Sequence, residues 1–300
     1  MAKTYNTKAV VARAAIALVL LAAAPIEHTV KPSVVDPRVQ TFDMPNVAVI
    51  EPGTATDAPL VLVLPGTSGR PARFRELMRV VAEQGYRVLG LMYDDEPAVV
   101  QICADSSDRD CAAKFRQVRL DGTGSGVLGI TNPVEESVQA RLVKTIQWLD
   151  RNFPDEGWGR YVEANQPRWE RIVVSGLSQG AGMAAFIAKQ HSVRRVVLFS
   201  SPWDFTGRSR RPAPWLSASS ATPSDRWFAE YHRQENAALL IRNAYAALEV
   251  PHDHIFVFDL GMPLDRARTG DNPYHATTAH DLRYAAQWRL MFGRADDPAY

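Results

Sequence analysis

The sequence predicts an α/β fold, with a doubly wound, mostly parallel sheet and helices on both of its faces. Apolar runs at 60–64, 172–174 and 195–200 lack the alternation of half-exposed strands, so they favour strands buried on both faces. The first two runs each lead through a short turn into a helix-forming stretch. Strand, helix and strand joined by short links require parallel pairing. We expect one domain over residues 31–300, because no repeat or second apolar cluster interrupts the pattern.

The elements before the first buried strand and just after it are predicted next. Short alternating stretches between 26 and 59 favour antiparallel edge strands. After strand 60–64, apolar side chains at helical spacing predict a helix over 72–84. Gly85 ends that helix, and a strand follows over 87–93.

The second half of the chain continues the alternation. Residues 94–131 are polar and rich in glycine, which predicts a long surface loop. The elements expected after it are helix 132–152, strand 172–174 with its helix to about 190, strand 195–200, strand 226–232, helix 236–248, strand 254–260 and helix 277–292. Every part of a doubly wound sheet is therefore present in order.

The N-terminus has the pattern of a secretory signal. Lys3, Lys8 and Arg13 precede an apolar run over 14–24 that is short for a membrane span. We assign residues 1–30 to a signal peptide and expect a secreted or periplasmic protein without a stable membrane span in its mature form. Pro25 disfavours cleavage directly before it, so the cleavage point stays open. Retention of the segment as an anchor is the alternative.

The two cysteines are consistent with export. Cys103 and Cys111 flank a polar stretch, and in an oxidising compartment such a pair usually forms a disulfide. Closing so short a ring contributes about 2–3 kcal/mol in the chain-entropy model. Neither cysteine has the spacing of a zinc site, and His252 and His254 alone are too few for one, so no metal is expected.

Composition excludes other classes of function. A formal net charge of +1 gives no field that would attract nucleic acid, so no such partner is expected. The glycine-rich stretch 121–126 lacks the preceding buried strand and the lysine of a phosphate-binding loop. We therefore expect no cofactor.

The stretch around Ser178 carries the clearest chemical signal. Gly176, Ser178 and Gly180 form a Gly-x-Ser-x-Gly turn between a buried strand and a helix. Glycines without Cβ atoms let the strand and the helix approach, and the serine hydroxyl is lifted clear of the sheet. At a helix N-terminus, free N–H groups favour developing negative charge. A structural turn whose serine only caps the helix is the alternative.

On these residues the chain resembles the α/β-hydrolase superfamily, and within it a branch of secreted bacterial serine hydrolases. The resemblance implies that Ser178 is the nucleophile and that two backbone N–H groups form an oxyanion hole. Gln179, which follows the nucleophile, would supply one of them. The loop after strand 60–64 would supply the other, from Thr67 or, as the alternative, Ser68. The common His-Gly form of that loop is replaced here by Pro-Gly-Thr.

The same resemblance implies a base and an acid in the order serine, acid, histidine. His275 follows the last predicted strand in a loop punctuated by glycine and proline, and His280 is the alternative. Glu235 stands in the turn after strand 226–232, and Asp204, after the preceding strand, is its rival. Each carboxylate could also be an ordinary solvated side chain.

The sequence thus predicts a secreted serine hydrolase that cleaves carboxylic esters through an acyl-enzyme intermediate, with a small-molecule or polymeric ester as substrate. A peptidase or amidase with the same triad is one alternative. A catalytically silent binding protein is the other. Aromatic side chains after strand 195–200 and near 227 are candidates for lining an acyl pocket, namely Trp203, Phe205, Trp215 and Trp227.

Overall fold

Eight strands form the main sheet of the computed structural model, which describes residues 24–124, 127–262 and 272–298. In chain order they are β1 Ile26–Val30, β2 Asn46–Ile50, β3 Leu60–Leu64, β4 Arg87–Gly90, β5 Ile172–Leu177, β6 Arg195–Phe199, β7 Trp227–His232 and β8 Ile255–Phe258. Two-residue strands also pair at Val162–Glu163 with Gln166–Pro167 and at Phe205–Thr206 with Arg211–Pro212.

The strands lie in the order β1, β2, β4, β3, β5, β6, β7, β8. The pairs β1–β2 and β2–β4 are antiparallel, and all other pairs are parallel. Strands β3 and β6 are buried along their whole length, as their uninterrupted apolar runs require. The predicted doubly wound, mostly parallel sheet is confirmed.

Helices cover both faces of this sheet. They are α1 Pro32–Val35, α2 Arg75–Ala82, α3 Val99–Cys103, α4 Cys111–Asp121, α5 Val138–Asn152, α6 Gln179–Gln190, α7 Ala238–Ala247, α8 Pro273–His280 and α9 Ala285–Phe292. Helices α4 to α7 pack in one apolar cluster with Leu60, Leu62 and Leu64, while α2, α8 and α9 pack in the other with Val61 and Val63. Alternate residues of one strand therefore enter opposite cores.

The segment 94–131 differs from the predicted loop, because it contains α3 and α4. Phe115 and Val118 of α4 are buried, and so are Arg116 and Arg119. The two arginines are paired with carboxylates there, whereas in a sequence they read as solvent-facing. Because they interrupt the apolar pattern, the sequence does not indicate this helix.

The predicted disulfide is present. Cys103 and Cys111 are bonded with their Cα atoms 5.7 Å apart, and both residues are buried. The bond joins the last residue of α3 to the first residue of α4.

The predicted helix 277–292 is two helices, α8 and α9. Pro273 occupies the first turn of α8, where its missing N–H costs no hydrogen bond. Asp281 ends α8, and its side chain accepts a hydrogen bond from the Arg283 N–H at 3.0 Å. His275 therefore lies in the first turn of a helix and not in a loop.

The N-terminal assignment falls partly outside the described residues, because residues 1–23 are not among them. The remainder of the span 1–30 includes β1, which pairs with β2 from Ile26 opposite Ile50 to Val30 opposite Asn46. In the described part of the chain, no helix has the length and apolar character needed to cross a membrane.

Candidate active site

The predicted site residues follow strands that end at the same edge of the sheet. Thr67 comes after β3, Ser178 directly after β5, and Glu235 three residues after the end of β7. These strands run parallel, so their carboxyl ends lie side by side, which is where α/β sheets bind ligands.

Ser178 occupies a strained turn between β5 and α6. Its φ of 55° and ψ of −120° place a side-chain-bearing residue in a region that favours glycine. The Ser178 N–H donates to the Phe199 carbonyl at 3.0 Å, which ties the turn to β6. A Cβ atom at Gly180 would lie 2.0 Å from the Leu64 carbonyl oxygen, so only glycine fits there.

The loop after β3 lies directly against this turn. A Cβ atom at Gly66 would lie 2.9 Å from the Cβ of Ser178. Thr67, Ser178 and Gln179 line one small cavity, so the structure brings these three candidate residues together. Ser68, the alternative donor, has a φ of 57° and bonds to the Glu96 carboxylate through its hydroxyl.

His275 and Glu235 also come together. Nδ1 of His275 lies 2.5 Å from Oε1 of Glu235, and because an ionised carboxylate can only accept, Nδ1 is the donor. The Glu235 side chain is fully buried, and the Ser200 hydroxyl donates to its Oε2 at 2.8 Å. The imidazole is thereby held in one tautomer, with Nε2 free of the proton.

Trp203 joins the cavity to the imidazole. Its side chain lines the cavity beside Ser178, and its ring lies edge-on to the His275 ring with centroids 6.3 Å apart. The histidine and the serine therefore flank the same indole.

Asp204, the rival acid, has other partners. The Arg116 guanidinium donates to both of its carboxylate oxygens, at 2.7 and 2.6 Å, and the Trp215 indole donates at 3.0 Å. Both members of the ion pair are buried. These bonds hold the Asp204 carboxylate at the cavity floor.

His280 lies elsewhere on α8. It is five residues after His275, which turns it about 140° around the helix axis. Its ring lies edge-on to Phe74 with centroids 4.7 Å apart, on the side of α8 that faces the second apolar cluster. It does not share the surroundings of His275.

Glu230 falls within the predicted strand 226–232, which makes it a weaker candidate for the acid than Glu235 in the sequence. It lies within β7 and is fully buried beside Glu235 and the side chains of Ser200 and Thr278. Burial, and then the negative charge of Glu235, raises the pKa of Glu230 well above its usual value. The raised pKa favours the neutral form of the Glu230 carboxyl group.

A group that the sequence did not indicate, Asp95, holds the loop after β3. Its Oδ2 accepts the Gly69 N–H at 3.1 Å, and the neighbouring Tyr93 hydroxyl donates to the Pro65 carbonyl at 2.9 Å. Burial raises the pKa of Asp95 to about 7. The consecutive acids at 94–96 were the available signal, but such a run normally indicates a solvated surface.

Gln179 contributes its side chain as well as its backbone. Its Oε1 accepts the Val99 N–H at 2.8 Å, and its Nε2 donates to the Asp95 carbonyl at 3.0 Å. The residue after Ser178 therefore fixes the segment 95–99 above the cavity.

The aromatic residues proposed for a pocket have different positions. Trp203 lines the cavity beside Ser178, and Phe205 lines a smaller neighbouring one. Trp215 binds Asp204, and Trp227 is buried in the core, where its indole donates to the Thr222 carbonyl at 3.2 Å. Only one of the four therefore borders Ser178 in this structure.

Metal ligands are not grouped in this region. Across residues 24–124, 127–262 and 272–298, no group of three or more His, Cys, Asp or Glu side chains is arranged to hold an ion. The His254 ring stacks on Phe228 with centroids 4.1 Å apart, and its Nδ1 lies 3.0 Å from the Trp227 carbonyl oxygen. These contacts give that histidine a packing role.

The strand order and the serine-bearing turn after the fifth strand define an α/β-hydrolase fold. No protein-family model and no curated protein matches the chain. It is similar to solved structures at low identity. An esterase from Thermogutta terrifontis is 14% identical, with 91% of this chain and 95% of that chain covered and a TM-score of 0.46.

Two further solved structures are similar over comparable lengths. An S-formylglutathione hydrolase from Agrobacterium tumefaciens is 13% identical, with 88% and 94% of the two chains covered and a TM-score of 0.47. A dienelactone hydrolase from Anabaena variabilis is 18% identical, with 89% and 97% covered and a TM-score of 0.41.

Proposed function

We propose that this chain is a serine hydrolase that cleaves carboxylic esters, with Ser178 as nucleophile, His275 as base and Glu235 as acid. The observation that carries the proposal is the bond from His275 to a fully buried Glu235, next to the indole that borders Ser178. A serine hydroxyl becomes a useful nucleophile when an imidazole oriented by a carboxylate removes its proton.

In the first step, the Ser178 oxygen attacks the ester carbonyl while His275 Nε2 accepts the hydroxyl proton. The resulting oxyanion accepts hydrogen bonds from the backbone N–H groups of Thr67 and Gln179. The imidazolium formed is stabilised by the Glu235 carboxylate, and it then protonates the departing alcohol. The acyl group remains bonded to the Ser178 oxygen.

In the second step, a water molecule gives its proton to His275 and attacks the acyl carbonyl. The same two N–H groups bind the second oxyanion. The imidazolium returns its proton to the Ser178 oxygen as the carboxylic acid leaves. Each oxyanion donor contributes roughly 10²–10³ in rate in enzymes of this kind.

Among the carboxylates, the surroundings favour Glu235 over Asp204. Both carboxylate oxygens of Asp204 accept hydrogen bonds from Arg116, whose positive charge balances that of the carboxylate. Asp204 is therefore not available to orient an imidazole. Glu235 accepts from His275 and from Ser200 and has no cationic partner among the described residues. Its charge is therefore available to the imidazolium.

We also propose that the protein is exported. The basic and apolar pattern of the first 24 residues is that of a signal, and the disulfide between Cys103 and Cys111 would persist in an oxidising compartment. Detection of the protein in the periplasm or medium by fractionation would test this, and retention in the cytoplasm would contradict it.

A fluorophosphonate probe tests the nucleophile directly. We expect intact-mass spectrometry to find one probe adduct on the parent chain, located on Ser178, and none on Ser178→Ala. The exposed Ser219→Ala is the matched control and should label like the parent. Absence of label on folded parent protein would overturn the proposal.

Hydrolysis of short nitrophenyl esters tests the base. We expect His275→Ala to lower kcat by at least about 10³-fold, because the serine then lacks a proton acceptor. His280→Ala should retain most of the parent rate, since that ring packs against Phe74. A reversed result would assign the base to His280. Parallel assays on peptide amides distinguish an esterase from an amidase.

A further inference from the structure

The cavity beside Ser178 is small. Its volume is about 60 Å³, whereas pockets for drug-sized ligands hold roughly 300–1,000 Å³. The residues that shape it beyond Ser178, Thr67 and Gln179 are Ala98, Val99, Val100, Arg116, Ser201, Trp203 and Asp204. A group of only a few heavy atoms fits inside.

Its floor is fixed by the Arg116–Asp204 pair. Both side chains are almost completely buried, and Arg116 also donates to the Gln179 carbonyl at 3.3 Å. The guanidinium occupies the space beside Gly182, where an added Cβ would lie 2.1 Å from it. Displacing the floor would leave a buried charge unpaired, so the cavity cannot deepen easily.

One wall is fixed by α3. The Val99 N–H is bonded to the Gln179 side chain at the start of this helix, and the disulfide to Cys111 holds its last residue. These two attachments restrain α3 against moving away to admit a longer chain. Another wall is formed by Trp203, which is packed against the apolar core.

The cavity carries no net charge from its lining. Among the residues that the structure describes, the charged ones that line the cavity are Arg116 and Asp204, and they neutralise each other. An anionic or cationic group would gain no unpaired partner there and would lose its hydration. The cavity therefore favours an uncharged group.

The position of His275 indicates which half of an ester enters. Under the proposed mechanism the alcohol receives its proton from the imidazole, so it departs on the histidine side. His275 contacts the edge of Trp203 but does not line the cavity. The space next to both oxyanion donors is left for the acyl group.

We propose that this cavity is an acyl pocket that limits the substrate to esters whose acyl group is uncharged and about two to four carbons long. Val99 and Trp203 set the limit. This proposal rests on the proposed hydrolase function and adds the substrate class to it.

The test measures kcat/KM on nitrophenyl acetate, butyrate and octanoate. We expect the parent to prefer acetate or butyrate over octanoate by at least about 100-fold, because the longer chain cannot enter. Val99→Ala should raise the octanoate-to-acetate ratio about 10-fold by removing part of the wall. The exposed Val134→Ala is the matched control and should leave the ratio unchanged.

A second variant keeps the proposal testable if Val99→Ala fails to fold. Ala98→Val should narrow the pocket and lower the butyrate-to-acetate ratio about 10-fold. Octanoate hydrolysed as fast as acetate by the parent would overturn the proposal. The proposal would also be overturned if kcat/KM fell with the length of the alcohol, measured as hexyl against ethyl acetate, but not with the length of the acyl group.

The two proposals can fail separately. If the fluorophosphonate does not label Ser178 and no ester is hydrolysed, the hydrolase function itself is wrong. If Ser178 is labelled and long acyl esters are cleaved, the hydrolase function stands and the acyl limit is wrong.

Discussion

His275 and Glu235 are 40 residues apart in the chain, yet the imidazole donates to the carboxylate over 2.5 Å. The carboxylate is fully buried, and the ring is one-fifth exposed. One end of the pair is therefore shielded from water, while the imidazole keeps an exposed surface, which proton transfer to a substrate would require.

Glu235→Gln is expected to lower kcat by about 10³–10⁴-fold, because an amide neither fixes the same tautomer nor stabilises the imidazolium. The fold should be retained, since glutamine can keep the bond from Ser200. Steady-state kinetics together with a thermal melt checks this. Glu163→Gln, at an exposed position, is the control. A kcat within 10-fold of the parent would remove Glu235 from the mechanism.

Asp204→Asn is expected to lower the free energy of unfolding by about 3–5 kcal/mol, because it leaves the buried Arg116 guanidinium without a counter-charge. Urea denaturation measures the loss. Replacing both partners, as Arg116→Met with Asp204→Leu, should recover much of the stability because no unpaired charge remains. A loss below about 1 kcal/mol for the single variant would contradict a buried pair.

Asp95 predicts a pH-dependent stability. Its pKa is raised to about 7 in the folded chain, so between roughly pH 4 and 7 the folded state keeps a proton that the unfolded state releases. The free energy of unfolding should therefore fall as pH rises through this window, by a few kcal/mol at most.

Asp95→Asn removes that titration. The stability of the variant relative to the parent should increase from pH 4.5 to pH 8, as measured by urea denaturation at several pH values. Glu230 contributes a slope of the same sign in both proteins, so the difference between them isolates Asp95. The exposed Asp253→Asn should show a constant difference from the parent. A constant difference for Asp95→Asn would refute the assignment.

The edge strand predicts where the folded chain begins. Glu27 bonds to Arg75 at 2.7 Å, His28 to Glu156 at 2.8 Å, and Val30 is buried. A chain beginning at Pro25 should fold normally, whereas one beginning at Lys31 should lose at least about 2 kcal/mol. Thermal melts of the two chains compare these outcomes. Mass spectrometry of exported protein should find a mature N-terminus at or before Ile26, which is earlier than the signal assigned to residues 1–30 would give, because β1 belongs to the sheet. A later start would show that β1 is dispensable.

The parts of the fold that were predictable depend on local patterns. The uniform apolar runs of β3 and β5 and the glycine-flanked Ser178 carry their information within a few residues. The disulfide was predictable because its cysteines are close in sequence. Such signals can be recognised in the sequence without knowledge of the tertiary contacts.

The parts that were missed depend on distant partners. Arg116 is buried only because Asp204, 88 residues later, neutralises it, and a lone arginine in a sequence is otherwise expected in solvent. Asp95 was overlooked for the same reason, since a carboxylate is rarely placed in a core. Glu230 is a weaker candidate for the acid than Glu235 in the sequence because it falls within a predicted strand. His275 was predicted as a candidate base, but its place in a helix follows from Pro273 and was missed.

The middle residue of the sequence Ser178-Gln179-Gly180 has a wider importance than the motif suggests. A Gly-x-Ser-x-Gly pattern leaves this position open to any amino acid, but here the side-chain amide of Gln179 bonds to both ends of the segment 95–99 and attaches it to the turn at Ser178. Replacing Gln179 with an apolar residue would remove its two bonds to the segment 95–99 without changing the Ser178 side chain or the backbone N–H of residue 179. Selectivity and turnover could then be altered independently, which makes position 179 a natural starting point for redesign.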